Sequence, residues 1–132
     1  MHLIICIDDR NGMGFLGRRQ SKDRLLRADM LELTAGAPLW MAPYSAKQFE
    51  EAAENIRVAE DFLSRAEAGQ YCFCELALPE ENIESIVVYR WNRHYPSDFV
   101  FPVSLLESRR LLERKEFSGS SHETITREVY AL

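Results

Sequence analysis

Arg18 and Arg19 follow a loop carrying Gly12, Gly14 and Gly17, and Gln20, Ser21, Asp23 and Arg24 come directly after them. Two guanidinium groups delivered by a glycine loop beside a helix start make an anion site. Their planar forks match phosphate or carboxylate oxygens in pairs, and free N–H groups at a helix N-terminus add partial positive charge. Glycine also lets a ligand approach the backbone closely. The candidate ligand-binding set is Gly14, Gly17, Arg18, Arg19, Gln20, Ser21 and Asp23. The same residues also fit a solvated helix start in which Asp23 pairs with Arg27, four positions on.

Acid and base candidates lie elsewhere. Asp8 and Asp9 close the first apolar run, where a partly buried carboxylate can act as a general base or hold a ligand N–H. Either can instead bond the backbone of its own turn, the reading preferred for Asp8, while Asp9 stays a catalytic candidate. His94 and His122 can form an acid and base pair for metal-free phosphodiester cleavage, with Arg18 or Arg19 stabilising the transition state. Each histidine also fits an ordinary loop position. The loop Ser120, Ser121, His122, Glu123 can close over a pocket or cap a turn. The polar and aromatic run Tyr89, Trp91, Asn92, Arg93, His94, Tyr95 and Asp98 can stack bases, or supply core aromatics with surface neighbours. Cys72 and Cys74 share one side of a strand, but without convergent histidines they make no zinc site, so no metal is expected.

The elements that position these residues follow from apolar spacing. Leu3 to Ile7 is a β-branched run typical of a strand buried on both faces of a parallel sheet. Ser21 to Leu33 has helical spacing, with Ser21 at its start and Gly36 and Pro38 ending it. A strand over residues 38–42 precedes a helix over 46–53 capped by Ser45, and a further strand over 55–59 precedes a helix from Asp61 to Ala68. Residues 70–76 and 83–91 read as strands, the latter most strongly. Residues 92–103 bend into a short strand, and 105–115 fits either a helix or two strands. Residues 124–132 read as a closing edge strand. The expected fold is a single α/β domain over 1–132, with a mostly parallel central sheet flanked by helices and antiparallel C-terminal strands.

Composition narrows the functional classes. A chain of 132 residues with 46% hydrophobic residues is sized for one core. A net charge of −5 argues against generic nucleic-acid binding. No leader and no membrane-spanning run is evident, so a cytoplasmic protein is expected. Three cysteines in apolar surroundings suit buried, reduced thiols.

The order of these segments resembles the dihydrofolate reductase family across nearly the whole chain. The resemblance is carried by the first strand, the loop DRNGMGFLG, a helix, the strand and helix LWMAPYSAKQF, the late run VVYRWNRHYPSDFVFPV and a terminal REVYAL. SDFVFP looks like that family's late Asp-x-x-Phe-Pro segment. The resemblance implies the reductase topology and a nucleotide-like or pterin-like ligand at the loop after the first strand. It would place the substrate carboxylate of the first helix at Asp23 or Asp29. Other positions depart from the family. Arg18, Arg19 and Gln20 replace Leu-Pro-Trp, Ala42 to Ser45 replace the cofactor-phosphate segment Gly-Arg-x-Thr, and Gly69 stands alone where paired glycines are usual. These departures argue against NADPH-dependent reduction, and no cofactor is expected. The chain is also similar to small bacterial proteins labelled ribonuclease Z, but His2, His94 and His122 do not form the clustered zinc motif of that enzyme.

The resulting expectation is a small protein that binds an anionic ligand. Two alternatives stand beside it: a metal-independent nuclease or phosphodiesterase using His94 or His122, and a protein-interaction or inhibitor module.

Overall fold

A computed structural model describes all residues, 1–132. Its centre is β1 (His2–Ile7), paired in parallel with β6 (Tyr71–Phe73) on one side and β7 (Ser85–Arg90) on the other. Because strand side chains alternate, this position buries both faces of β1. Leu3, Ile5 and Ile7 pack with Cys72, Ile86 and Val88, while Ile4 packs on the opposite face with Leu26, Met30 and Phe73. Shielding a side chain of this size from water contributes about 1.5–3 kcal/mol.

The sheet extends outward from β6 through β4 (Leu39–Met41) to β5 (Ile56–Val58), all parallel. On the other side β7 pairs antiparallel with β10 (Ile125–Ala131), and β10 pairs antiparallel with β9 (Arg110–Phe117). The order is β5-β4-β6-β1-β7-β10-β9. A second sheet joins β2 (Gly12–Phe15) to β3 (Arg18–Arg19) and β8 (Phe99–Val100). The longest helix is α1 (Arg24–Leu33); α2 (Pro43–Ala46), α3 (Phe62–Arg65) and α4 (Ser104–Glu107) are single turns. No helix is long and apolar enough to cross a membrane. The α/β class, the mostly parallel sheet and the antiparallel C-terminal strands agree with the sequence analysis.

Several local expectations are corrected. Helix α1 begins at Arg24 with Asp23 as its N-cap, so Ser21 lies outside it. The helix expected over 46–53 is instead one turn entered through Pro43, with Ser45 inside it. Residues 105–115 divide into α4 and β9, and β9 rather than the last strand forms the sheet edge. Arg110, Glu113, Arg114 and Glu116 line that exposed edge, and such charges oppose pairing with another chain. Gly12 and Gly14 do not open the backbone to a ligand. A Cβ on Gly12 would sit 2.6 Å from Gln20 Nε2, and one on Gly14 would sit 2.9 Å from Leu76. Of the three loop glycines, only Gly17 has positive φ, at 71°. With Leu16 at 51° it makes a two-residue hairpin turn, both residues in the left-handed backbone region, whose twist matches the right-handed twist of the flanking strands.

Helix α1 is fastened to the antiparallel half of the sheet by Asp29. Its carboxylate accepts from Tyr89 Oη at 2.8 Å, Arg127 Nη1 at 2.8 Å and Lys115 Nζ at 2.9 Å, and Arg127 also pairs with Glu113. Burial by itself would raise the Asp29 pKa, but the bonds from Lys115, Tyr89 and Arg127 outweigh it and hold the carboxyl below its ordinary range. Asp29→Ala leaves buried Arg127 short of a partner and should lower stability by about 3 kcal/mol in urea unfolding. A loss within about 0.5 kcal/mol, the range typical of surface changes, would show that the network is dispensable.

Candidate functional site

The connection from β3 to α1 carries Gln20, Ser21, Lys22 and Asp23, and two later loops fold over it. The first follows β7 and brings Trp91 and Tyr95; the second joins β9 to β10 and brings Ser120, Ser121 and His122. Asp23 is where they meet. Its Oδ1 accepts from the N–H groups of Leu25 at 2.9 Å, Leu26 at 3.2 Å and Ser120 at 3.0 Å. Its Oδ2 accepts from the Ser121 N–H at 2.9 Å and lies 2.9 Å from His122 Nδ1. An ionised carboxylate only accepts, so Nδ1 carries the proton and, in the neutral ring, Nε2 offers its lone pair. Two hydroxyls reach that lone pair, Tyr95 Oη at 2.9 Å and Ser21 Oγ at 3.2 Å. The imidazole is buried and stacks on Trp91, with ring centroids 4.6 Å apart.

Burial would raise the Asp23 pKa, but the N–H groups of Ser120, Ser121 and Leu26 and the His122 ring drive it far below the ordinary carboxylate range. Gly119 allows the loop to come this close, since a Cβ there would lie 2.5 Å from Asp23 Oδ2 and 2.9 Å from the His122 carbonyl oxygen.

Beside Ser21 opens a cleft of about 560 Å³ lined by Arg18, Arg19, Ser21, Lys22 and Tyr44. Its cations are not equivalent. Arg19 donates to both Glu75 oxygens, at 2.8 and 3.1 Å, and to the Tyr44 carbonyl at 3.1 Å, and its guanidinium lies 4.2 Å above the Tyr44 ring centroid. Arg18 and Lys22 are exposed and form no ion pair.

Of the residues singled out from sequence, Arg18, Arg19 and Ser21 therefore line one cleft, and Asp23 lies beneath it. Gly14 packs under Leu76, Gly17 turns the hairpin tip, and Gln20 Nε2 donates to Asp8 Oδ2 at 3.1 Å and to the Pro96 carbonyl. Asp23 does not pair with Arg27, which binds Glu51 at 3.0 Å. The α1 N-terminus is not open to an anion either, because Asp23 takes the Leu25 and Leu26 N–H groups and Ser120 Oγ accepts from the Arg24 N–H. Asp8 accepts from the N–H groups of Arg10, Gly12 and Tyr95 and so fastens its own turn. Asp9 is exposed on that turn. His94 lies 3.9 Å from Asp8, and nothing joins it to His122, whose partners are Asp23, Ser21, Ser121 and Tyr95.

Lys22 and Tyr44 were not singled out from sequence as ligand-binding or catalytic residues, and Tyr95 was named only as a base-stacking or core aromatic, not as a partner of His122. Lys22 was legible there as a cation between Ser21 and Asp23; Tyr44 comes from another element and carries no such signal. Burial raises the thiol pKa of Cys6 and Cys74 and pushes that of Cys72 up to about 11, which disfavours their thiolate forms.

A folded-state pKa depressed at Asp23 contributes stability above the unfolded carboxyl value near ~4, and that contribution is lost as pH falls through and below it. The thermal midpoint of the wild-type protein should therefore drop more steeply on acidification below about pH 4 than that of Asp23→Asn. Equal slopes would dissociate Asp23 from acid sensitivity. Gly119→Ala should cost about 1–3 kcal/mol by forcing the loop off Asp23, measured by denaturant unfolding.

No protein-family model matches the chain, and no curated protein is similar to it in sequence. Among solved structures it is similar to a dihydrofolate reductase from Enterococcus faecalis complexed with NADP(H) and RAB-propyl. The TM-score is 0.64 and the identity 12%, with 98% of this chain and 94% of that chain covered. The chain has a dihydrofolate reductase-like fold.

Proposed function

We propose that the cleft between the β2–β3 hairpin and α2 binds a small anionic ligand, nucleotide-like or pterin-like. The supporting observation is the placement of Arg18 and Lys22, two exposed cations without ion-pair partners, on either side of Ser21 in a cleft walled by Tyr44. A guanidinium fork and an ammonium take a phosphate or carboxylate, while the Arg19–Tyr44 stack provides a flat, partly apolar wall for a ring. Arg19 acts as a wall rather than as the anion's partner, because Glu75 already neutralises it.

Nicotinamide chemistry fits these residues poorly. Ala42 to Ser45, at the position of the family's cofactor-phosphate segment, carry no basic side chain, and Pro43 at the start of α2 removes one backbone donor.

Thermal unfolding in the presence of mononucleotides, folate, inorganic phosphate and NADPH tests the reading. A ligand at tenfold its Kd stabilises the native state by about 1.4 kcal/mol, which raises the midpoint by roughly 4–7 °C for a domain of this size. At least one mononucleotide or folate should produce such a rise, and Arg18→Ala or Lys22→Ala should reduce it. No rise with any of these ligands would overturn the proposal, and a rise confined to NADPH would restore a reductase.

A further inference from the structure

We infer that Ser21, His122 and Asp23 form a hydroxyl–imidazole–carboxylate relay, with Ser21 as the nucleophile of an esterase acting on a small anionic ester. The inference rests on the anion-binding reading of the cleft for its substrate class, but not for its chemistry. Asp23 Oδ2 holds His122 Nδ1 at 2.9 Å, and the opposite ring nitrogen faces Ser21 Oγ at 3.2 Å. This is the connectivity by which a carboxylate fixes an imidazole tautomer and the imidazole accepts a hydroxyl proton. Two features go beyond a chance contact. Asp23 and His122 are both buried, 2% and 5% exposed, and Trp91 braces the ring from below; Ser21 is only partly buried and opens on the cleft. The ring is thus held in place by its buried surroundings while the nucleophile is reachable from the cleft. The backbone N–H groups of Ser21 and Lys22 donate to no protein acceptor, so the nucleophile and the residue after it retain free donors for a developing oxyanion.

The step balances without any added redox partner. Ser21 Oγ attacks the ester carbonyl carbon as its proton passes to His122 Nε2. The C–O bond to the alcohol breaks, and the alkoxide leaves with that proton. Water entering through the cleft then attacks the acyl carbon as its proton passes to His122 Nε2; the C–O bond to Ser21 breaks, the proton returns to Ser21 Oγ, and the acid is released. Arg18 and Lys22 hold the substrate's carboxylate or phosphate beside the nucleophile. Tyr95 is a positioning residue: in the resting protein its hydroxyl, at 2.9 Å, competes with Ser21 for the same nitrogen. Loose nucleophile–base contacts are common before substrate binds.

The test treats the full chain with a fluorophosphonate, which loses fluoride as the serine oxygen bonds to phosphorus. Intact mass and peptide mapping then locate the adduct. A single adduct on Ser21 is expected, absent in Ser21→Ala and lost in His122→Gln. Tyr95→Phe, which releases Nε2 to Ser21, should label about tenfold faster; a purely structural hydroxyl would not produce that change. No adduct on Ser21 in either the wild-type protein or folded Tyr95→Phe overturns the inference, as does labelling confined to Ser120 or Ser121. Nitrophenyl esters separate this claim from the anion site. Hydrolysis of the succinate half-ester about tenfold faster than that of the neutral acetate supports both. Labelling of Ser21 with no charge preference sustains the nucleophile and refutes the anion site. A mononucleotide-induced thermal shift with Ser21 inert refutes the nucleophile alone.

Discussion

The carboxylate of Asp23 is where the local and the long-range structure of this protein are joined. It caps α1, satisfying two N–H groups that a helix start leaves without intrahelical partners. The same two oxygens receive the Ser120 and Ser121 N–H groups and the His122 ring from the far end of the chain. A buried carboxylate is stable only when its lone pairs are filled, and here they are filled by the start of α1 and by the β9–β10 loop. The position of the β9–β10 loop, the orientation of the imidazole and the entry angle of α1 are consequences of one group's hydrogen-bonding capacity.

A second carboxylate, Asp29, does comparable work nearly two turns further along the helix. Asp23 ties α1 to loops, whereas Asp29 ties it to β7, β9 and β10 through Tyr89, Lys115 and Arg127. Position 29 is consumed by packing, and position 23 stands next to the cleft. The two acids, alike in sequence, differ because one side of α1 faces the sheet and the other end of the helix faces Ser21 and Lys22.

Charge in the cleft is likewise divided by tertiary context. Arg18 and Arg19 are neighbours in a strand, so their side chains leave on opposite faces. Arg19 turns toward Glu75 and Tyr44, and Gln48 adds a further bond to the same glutamate at 3.1 Å. Arg18 is exposed together with Lys22. A cation held in a bidentate pair builds a wall; an unpaired one attracts a ligand.

Much of the fold was legible in sequence. The apolar runs of β1 and β7 announced strands buried on both faces, and the alternation of short strands with helical segments gave a parallel sheet that turns antiparallel at its end. Boundaries were less legible. Pro43 starts a turn of helix that periodicity placed later, and Asp23 displaced Ser21 as the cap because it alone could also satisfy Ser120 and Ser121. For the site, sequence marked Arg18, Arg19, Ser21, Asp23 and His122 one by one, but paired His122 with His94. Residue type and local spacing determine which groups can carry charge or protons, and they act over a few positions of the chain. Ser21 and His122 lie 101 positions apart, and Asp23 and His122 lie 99 apart. Only the packing of two late loops on the start of α1 decided that these three side chains meet, because the N–H groups of Leu25 and Leu26 fill only part of the capacity of Asp23 and the Ser120 and Ser121 N–H groups and the His122 ring fill the rest.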